Sequence, residues 1–405
     1  MGSDDGKKRR VELSLYPWVS AAVVVVVLLA LVQYRKRVVE PIRRGDVTAP
    51  RTSSKPAPEP SKPASEGALK ALLLEIAAMP AREALAALDR DPLGVEAVQN
   101  ASEWACPTRE RLVARVPNVD AERGLRFRRE GAFLWFEHLS KAGGTSFCAF
   151  ARKNVGARRT PPYYCMPSDG AKIAGTDGRV GRWKSAQLRE YVRRTKHAIV
   201  ANEWDAFPGL DDLRDDAVLA TVVRDPVDRL VSAYKFWGRL HNPNKKNPRS
   251  AQDWLGMKDR AARQRPHRRF PDDFLSQVGR NNFAVWKFAS GGGNDKFEDC
   301  GDNATCDREA LLVAIDRLEA FHVAAPMLWQ HAAAPLYRRL GWTDTAPVHR
   351  VPTGTIQNSD AKLELGQDYE RFREANVFDY VLWTWLRRAF LERVRCPRPP
   401  IDDPP

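Results

Sequence analysis

AFLWFEHLSKAGGTSF, residues 132–147, reads as a strand, a turn and a helix start in sixteen consecutive positions. Ala132 to Phe136 is an unbroken apolar run, the pattern of a strand covered on both faces. Glu137-His138-Leu139 closes it, and Ser140-Lys141-Ala142-Gly143-Gly144-Thr145-Ser146-Phe147 follows at once. A glycine-bearing turn that opens a helix aims backbone N–H groups at one spot, here with a lysine and two hydroxyls beside it. That composition suits a phosphate or another oxyanion. An ordinary strand-to-helix turn is the plainer reading of the glycines alone. The segment is not the nucleoside-triphosphate loop G-x-x-x-x-G-K-[ST], because Lys141 precedes the glycines and no hydroxyl follows it directly.

Working outward, a second apolar, β-branched run, Ala217 to Val223, leads into Arg224-Asp225-Pro226-Val227-Asp228-Arg229-Leu230-Val231-Ser232-Ala233-Tyr234. Pro226 suits a first helical turn, and Val227, Leu230, Val231 and Tyr234 form the stripe of a helix packed on a sheet. Arg224 at the strand end and Ser232 about two turns into the helix are placed to meet one phosphate. Between the two units lies His197-Ala-Ile-Val-Ala201, ending in Asn202-Glu203-Trp204-Asp205. Strands alternating with helices predict an α/β domain of three layers around a mostly parallel sheet, with ligands at the carboxyl ends of the strands.

The 405 residues carry 65 Lys and Arg against 51 Asp and Glu, a net charge of +14, and are 43% hydrophobic. That is too apolar for a disordered polycation, so the place of the charge decides what it means. Residues 1–66 hold a net +5, and Lys235–Arg269 holds +9, the whole excess of the remainder. Leu13 to Tyr34 is 22 residues without a charge, flanked by Tyr16, Trp18 and Tyr34. A helix of that length spans a bilayer; a cleaved signal peptide is the alternative, with an apolar region usually shorter. Basic residues flank both ends, so charge alone does not orient it. The expected order is a cytosolic tail (1–12), a signal-anchor helix (13–34), a Pro-rich stem (35–67), a helical extension (68–129), a catalytic domain (130–396) and a Pro-rich tail (397–405).

Sequons at Asn100 and Asn303 are usable only if the domain faces a lumen. Six cysteines suit an oxidising compartment, with Cys300 and Cys306 spaced for a local disulfide; Cys148, amid apolar neighbours, also fits a free buried thiol. No C-x-x-C pair or H-x-x-x-H pattern marks a metal site, and none is expected.

Together the two main segments resemble the Golgi carbohydrate sulfotransferases, which use 3′-phosphoadenosine 5′-phosphosulfate (PAPS), and within them the heparan sulfate 6-O- and 2-O-sulfotransferase branch. The resemblance covers roughly residues 130–395, more loosely through Asn281-Asn282-Phe283 and Leu312 to Trp342. It implies a P-loop-like sulfotransferase fold and transfer of a sulfuryl group to a glycan hydroxyl. By it, Lys141 contacts the bridging oxygen, Ala142, Gly143, Gly144, Thr145 and Ser146 bind the 5′ end, and Arg224 and Ser232 grip the 3′-phosphate. The 6-O relatives place a histidine in a comparable Trp-containing stretch, whereas here Glu203 stands next to Trp204. Glu203 is therefore the first candidate base, His197 the second and His138 the third.

The basic stretch offers Arg263, Arg265, Arg268 and Arg269 to an anionic polysaccharide acceptor, by the counterion-release physics that also serves nucleic acid; a solvated insertion is the equal alternative. The expected protein is a single-pass type II enzyme of the Golgi membrane with a lumenal catalytic domain, and nucleic acid is not an expected partner. A protein tyrosine as acceptor, or an inactive membrane-tethered polyanion binder, are the competing readings.

Overall fold

The structure, a computed structural model, describes residues 66–100, 126–127, 132–167, 179–211, 213, 216–240, 250–255, 278–291, 304–344 and 361–395. The chain divides into two units, Met1–Ser61 and Lys62–Pro405. The first, with the expected span at 13–34, lies outside the described residues, as do the tail and most of the basic stretch. Among the described residues no helix is long and apolar enough to cross a membrane.

Three helices come first: α1 (Glu66–Ala78), α2 (Ala81–Leu88) and α3 (Val95–Asn100). The remaining elements follow in the order β1 (Phe133–His138), α4 (Gly144–Val155), α5 (Ser185–Thr195), β2 (Ile199–Asn202), β3 (Ala217–Val223) and α6 (Pro226–Ala233). A π-helical turn (Tyr234–Leu240) continues α6. Then come α7 (Ala251–Leu255), α8 (Phe283–Ala289), α9 (Ala304–Glu319), β4 (Val323–Pro326), α10 (Ala334–Arg339), α11 (Ala361–Leu365), α12 (Tyr369–Ala375) and α13 (Val377–Arg395).

The four strands form one sheet in the order β2-β1-β3-β4, every pair parallel. Each residue of all four is buried, so both faces are covered, as the apolar runs require. Phe136 turns to one face, where Phe147 of α4 stacks on it with ring centroids 4.0 Å apart. Glu137 turns to the other, where it meets Lys287 of α8. Phe147 and Phe150 of α4 join Tyr337 and Trp342 in an aromatic cluster, each ring worth about 1.5–3 kcal/mol on full burial. On the far side of the sheet α13 packs along β4 and reaches α1, α2 and α3. This is an α/β fold with helices on both faces of a parallel sheet.

The chain leaves β1 toward β2, then returns to build β3 on the opposite side of β1. That reversal opens a crevice beyond the carboxyl ends of β1 and β3, where α/β folds hold their ligands.

Candidate active site

Ser140 is fully buried at the end of β1, and Lys141 and Gly143 both take left-handed conformations, with φ of 68° and 87°. Gly143 is the N-cap of α4 and brings no side chain of its own to bond the first N–H groups of that helix. The positive end of the helix dipole adds to them, which favours an anion there. Gly144 is required for a different reason: a Cβ at this position would lie 1.8 Å from Nε2 of His138. Only hydrogen fits between the helix start and that imidazole.

The Lys141 ammonium sits 3.7 Å from the centroid of the Phe236 ring. Burial pushes its pKa down to about 8, Arg224 pushes the same way, and Glu203 opposes them. Arg224, just past β3, donates from Nη1 to the Lys141 carbonyl at 3.3 Å, which ties the two turns together. Burial lowers the pKa of this guanidinium too, against Asp228 and Asp225. Asp225 caps α6 by accepting from the N–H groups of Val227 and Asp228, both at 3.0 Å, and Pro226 occupies the first turn. Ser232 is buried further along α6. Arg229 is structural: fully buried, it donates to the Val278 carbonyl at 2.8 Å and lies over the Phe283 ring, and burial pushes its pKa down to about 10.

Glu203 follows β2 and places Oε2 3.4 Å from Nδ1 of His138, an ion-pair distance that falls short of a hydrogen bond. His138 is 6% exposed. Its pKa is lowered by burial first, with Glu203 opposing and Lys287 and Lys141 reinforcing, so the imidazole is neutral at pH 7. Lys141, Arg224, His138 and Glu203 thus converge, as does the glycine-capped α4 terminus. His197, the second candidate base, does not join them. It precedes β2, roughly 16 Å of strand from Asn202 at 3.3 Å per residue, and its Nδ1 meets the Tyr191 hydroxyl at 2.7 Å. His197 therefore lies away from this group, whereas His138, the third candidate, lies within it.

Glu137 and Lys287 were not singled out in the sequence. Both side chains are fully buried, with Nζ 2.8 Å from Oε1. Trp135 and Asn202 donate to the same carboxylate at 2.8 and 3.0 Å, while Lys287 also reaches the carbonyls of Asn202 at 3.3 Å, Glu203 at 3.1 Å and Asp205. The lysine clamps the backbone that carries Glu203. The signal was a carboxylate in an apolar strand, since a buried charge demands a partner.

Ala142 is buried just before the cap of α4, and in its first turn Ser146 is buried and Thr145 half-buried. Arg263, Arg265, Arg268, Arg269 and Asn303 lie outside the described residues, and Asn100 is exposed at the end of α3. Cys148 is not a free thiol: it is bonded to Cys165. Cys306 is disulfide-bonded, while Cys300 lies outside the described residues. Among the described residues no group of three His, Cys, Asp or Glu side chains is arranged to hold a metal.

Fold and site together define an α/β protein with Lys141, Arg224, His138 and Glu203 gathered at the switch point of a parallel sheet. No protein-family model matches the chain, and no curated protein matches it significantly.

Proposed function

We propose that the chain is a PAPS-dependent sulfotransferase of the P-loop-like sulfotransferase fold, acting on a glycan hydroxyl. The observation that carries the reading is the joining of Lys141 to Arg224 beside the glycine-capped start of α4. The first N–H groups of α4, Lys141 and the Ser140 hydroxyl, buried without a hydrogen-bond partner, fit an anionic donor terminus. In this reading Lys141, Ala142, Gly143, Gly144, Thr145 and Ser146 hold the 5′ end of the nucleotide, and Arg224 and Ser232 its 3′-phosphate. The donor supplies the sulfuryl group.

The chain's own residues do the rest. Glu203 accepts the proton of the attacking hydroxyl as the new oxygen–sulfur bond forms. Lys141, mostly protonated at pH 7, hydrogen-bonds the bridging oxygen as the sulfur–oxygen bond on the phosphate side breaks, and Arg224 balances the charge left behind. His138, neutral and buried, sits beside Glu203. We place the enzyme in the Golgi membrane through residues 13–34, with its catalytic domain lumenal, and expect the basic stretch to meet an anionic acceptor.

The test is sulfur-labelled transfer by residues 62–405 to a panel of glycans and tyrosine peptides, with calorimetric titration of 3′-phosphoadenosine 5′-phosphate. Transfer to a glycan supports the reading. Transfer to tyrosine alone changes the acceptor class, nucleotide binding without transfer points to an inactive binder, and no nucleotide binding overturns the proposal.

A further inference from the structure

Of the five large hydrophobic side chains exposed among the described residues, two are consecutive: Tyr163 at 37% and Tyr164 at 43%. They occupy a tight turn closed by a hydrogen bond from Met166 N to the Tyr163 carbonyl at 2.8 Å. Its central residues, Tyr164 and Cys165, have φ of 47° and 61°. Two successive positive values are the pattern of a type I′ turn, where Asn-Gly is the usual pair. A bulky aromatic residue in that conformation is an outlier, and such strain collects where a side chain is wanted for its contacts.

The turn is held from three directions. Cys165 is bonded to Cys148 on α4, whose start forms the anion cradle. The Cys165 carbonyl accepts from Ala201 N at 2.9 Å, so the turn sits on the open edge of β2, two residues before Glu203. Arg152 of α4 donates to the carbonyls of Pro161 and Pro162 at 3.1 and 3.0 Å. The strained conformation is over-determined, and its rings are fixed on the edge of β2, the strand that runs on into Glu203 and Trp204.

Tyr164 meets Tyr163 edge-on, with ring centroids 4.8 Å apart and planes 68° apart. Tyr163 in turn faces Trp204, the residue after Glu203, at 6.5 Å and 55°. Behind them Arg179 and Arg182 both pair with Asp205, and Arg179 also donates to the Trp204 carbonyl. We propose that Tyr163, Tyr164 and Trp204 form an acceptor subsite that seats the apolar C–H face of a pyranose ring next to Glu203. A chair-shaped ring presents hydrogens in more than one direction, which suits aromatic faces set at steep angles; a flat phenol would use only one of them. Tyrosine hydroxyls add a polar rim for sugar hydroxyls, and Arg182, 55% exposed, offers a charge to a uronate carboxylate nearby. The choice of ligand rests on the glycan reading above.

The experiment is calorimetric titration of unsulfated hexasaccharides, both uronate-containing and neutral, and of tyrosine peptides into residues 62–405 with and without 3′-phosphoadenosine 5′-phosphate. The variants are Tyr163→Ala, Tyr164→Gly and the two Tyr→Phe changes. Loss of either ring should weaken hexasaccharide binding about tenfold, with Tyr→Phe keeping most of it. Nucleotide affinity should stay unchanged. Tyr164→Gly removes ring and strain together, so its melting temperature should hold or rise while sugar affinity falls. Unchanged hexasaccharide affinity in Tyr163→Ala and Tyr164→Gly overturns the proposal. So does absence of hexasaccharide binding by the unaltered protein, or ring-dependent binding of tyrosine peptides alone. Ring-dependent sugar binding in a protein that fails to bind the nucleotide would leave the subsite standing and sink the donor reading instead.

Discussion

Lys287→Met removes one charge from the centre of the molecule and leaves its partner stranded. Both Lys287 and Glu137 are wholly inaccessible, and the ammonium holds four oxygens: the Glu137 carboxylate and the carbonyls of Asn202, Glu203 and Asp205. Breaking a buried pair from one side costs about 3–5 kcal/mol, because the remaining charge is uncompensated. For a domain of this size that corresponds to a fall in melting temperature of roughly 10 °C. Burial pushes the Glu137 carboxyl above its ordinary value, while Lys287, Trp135 and Asn202 pull it back. A carboxyl raised in the folded state contributes stability that is complete below its unfolded value and is lost as pH rises through the folded one. Losing Lys287 raises it further, so the variant should be hurt more at pH 8 than at pH 5. In the double variant Glu137→Gln/Lys287→Met no charge is left to strand, and about 1–3 kcal/mol should return. Thermal melts of the wild type, both single variants and the double variant at the two pH values complete the cycle. An equal deficit at pH 5 and pH 8, or a double variant no more stable than Lys287→Met, would refute the role assigned to the pair.

The remaining predictions concern the site itself. Glu203→Gln should lower turnover by about 10²–10⁴ while calorimetry shows nucleotide affinity intact; near-normal turnover would remove Glu203 as the base. Lys141 is charged below its depressed value of about 8, so kcat should decline as pH rises past that point. Lys141→Arg should shift that decline to higher pH, because a guanidinium stays protonated; an unmoved pH profile would mean that another group titrates. Gly144→Ala forces a methyl group into the His138 ring and should cost about 1–3 kcal/mol in urea unfolding. Stability equal to wild type would show that helix and ring are not in that contact.

Much of the fold is local and was legible. β3 runs from Ala217 to Val223 as its β-branched run predicts, and β1 and β2 differ from expectation by two residues or fewer at each end. Lys141 and Arg224 meet because parallel strands deliver their following turns to one edge. Chain direction, applied to His197, also shows why it lies away from Glu203: a residue that precedes a parallel strand is at the opposite end of the sheet from one that follows it. What resisted reading was long-range. No spacing rule links Glu137 to Lys287, or says that His138 rather than His197 stands beside Glu203. Six cysteines allow about fifteen full pairings, and only the fold brings Cys148 and Cys165 together. The left-handed Tyr164 and Cys165 were equally hidden, since their residue types argue for extended backbone.

The sheet order bears on how the molecule assembles. Thr221 of β3 bonds the carbonyl of Glu137 across 84 residues of chain, and the Leu219 amide bonds His322, just before β4, across 103. Parallel pairings at such separations form late, because loop closure must come before any contact rewards it. During synthesis β1 and β3 emerge long before β4 is available to cover the open edge of β3. The nascent chain therefore passes through a stage with an uncovered apolar strand, and truncations ending before Val323 should be prone to aggregation, however intact the residues around Lys141 and Arg224.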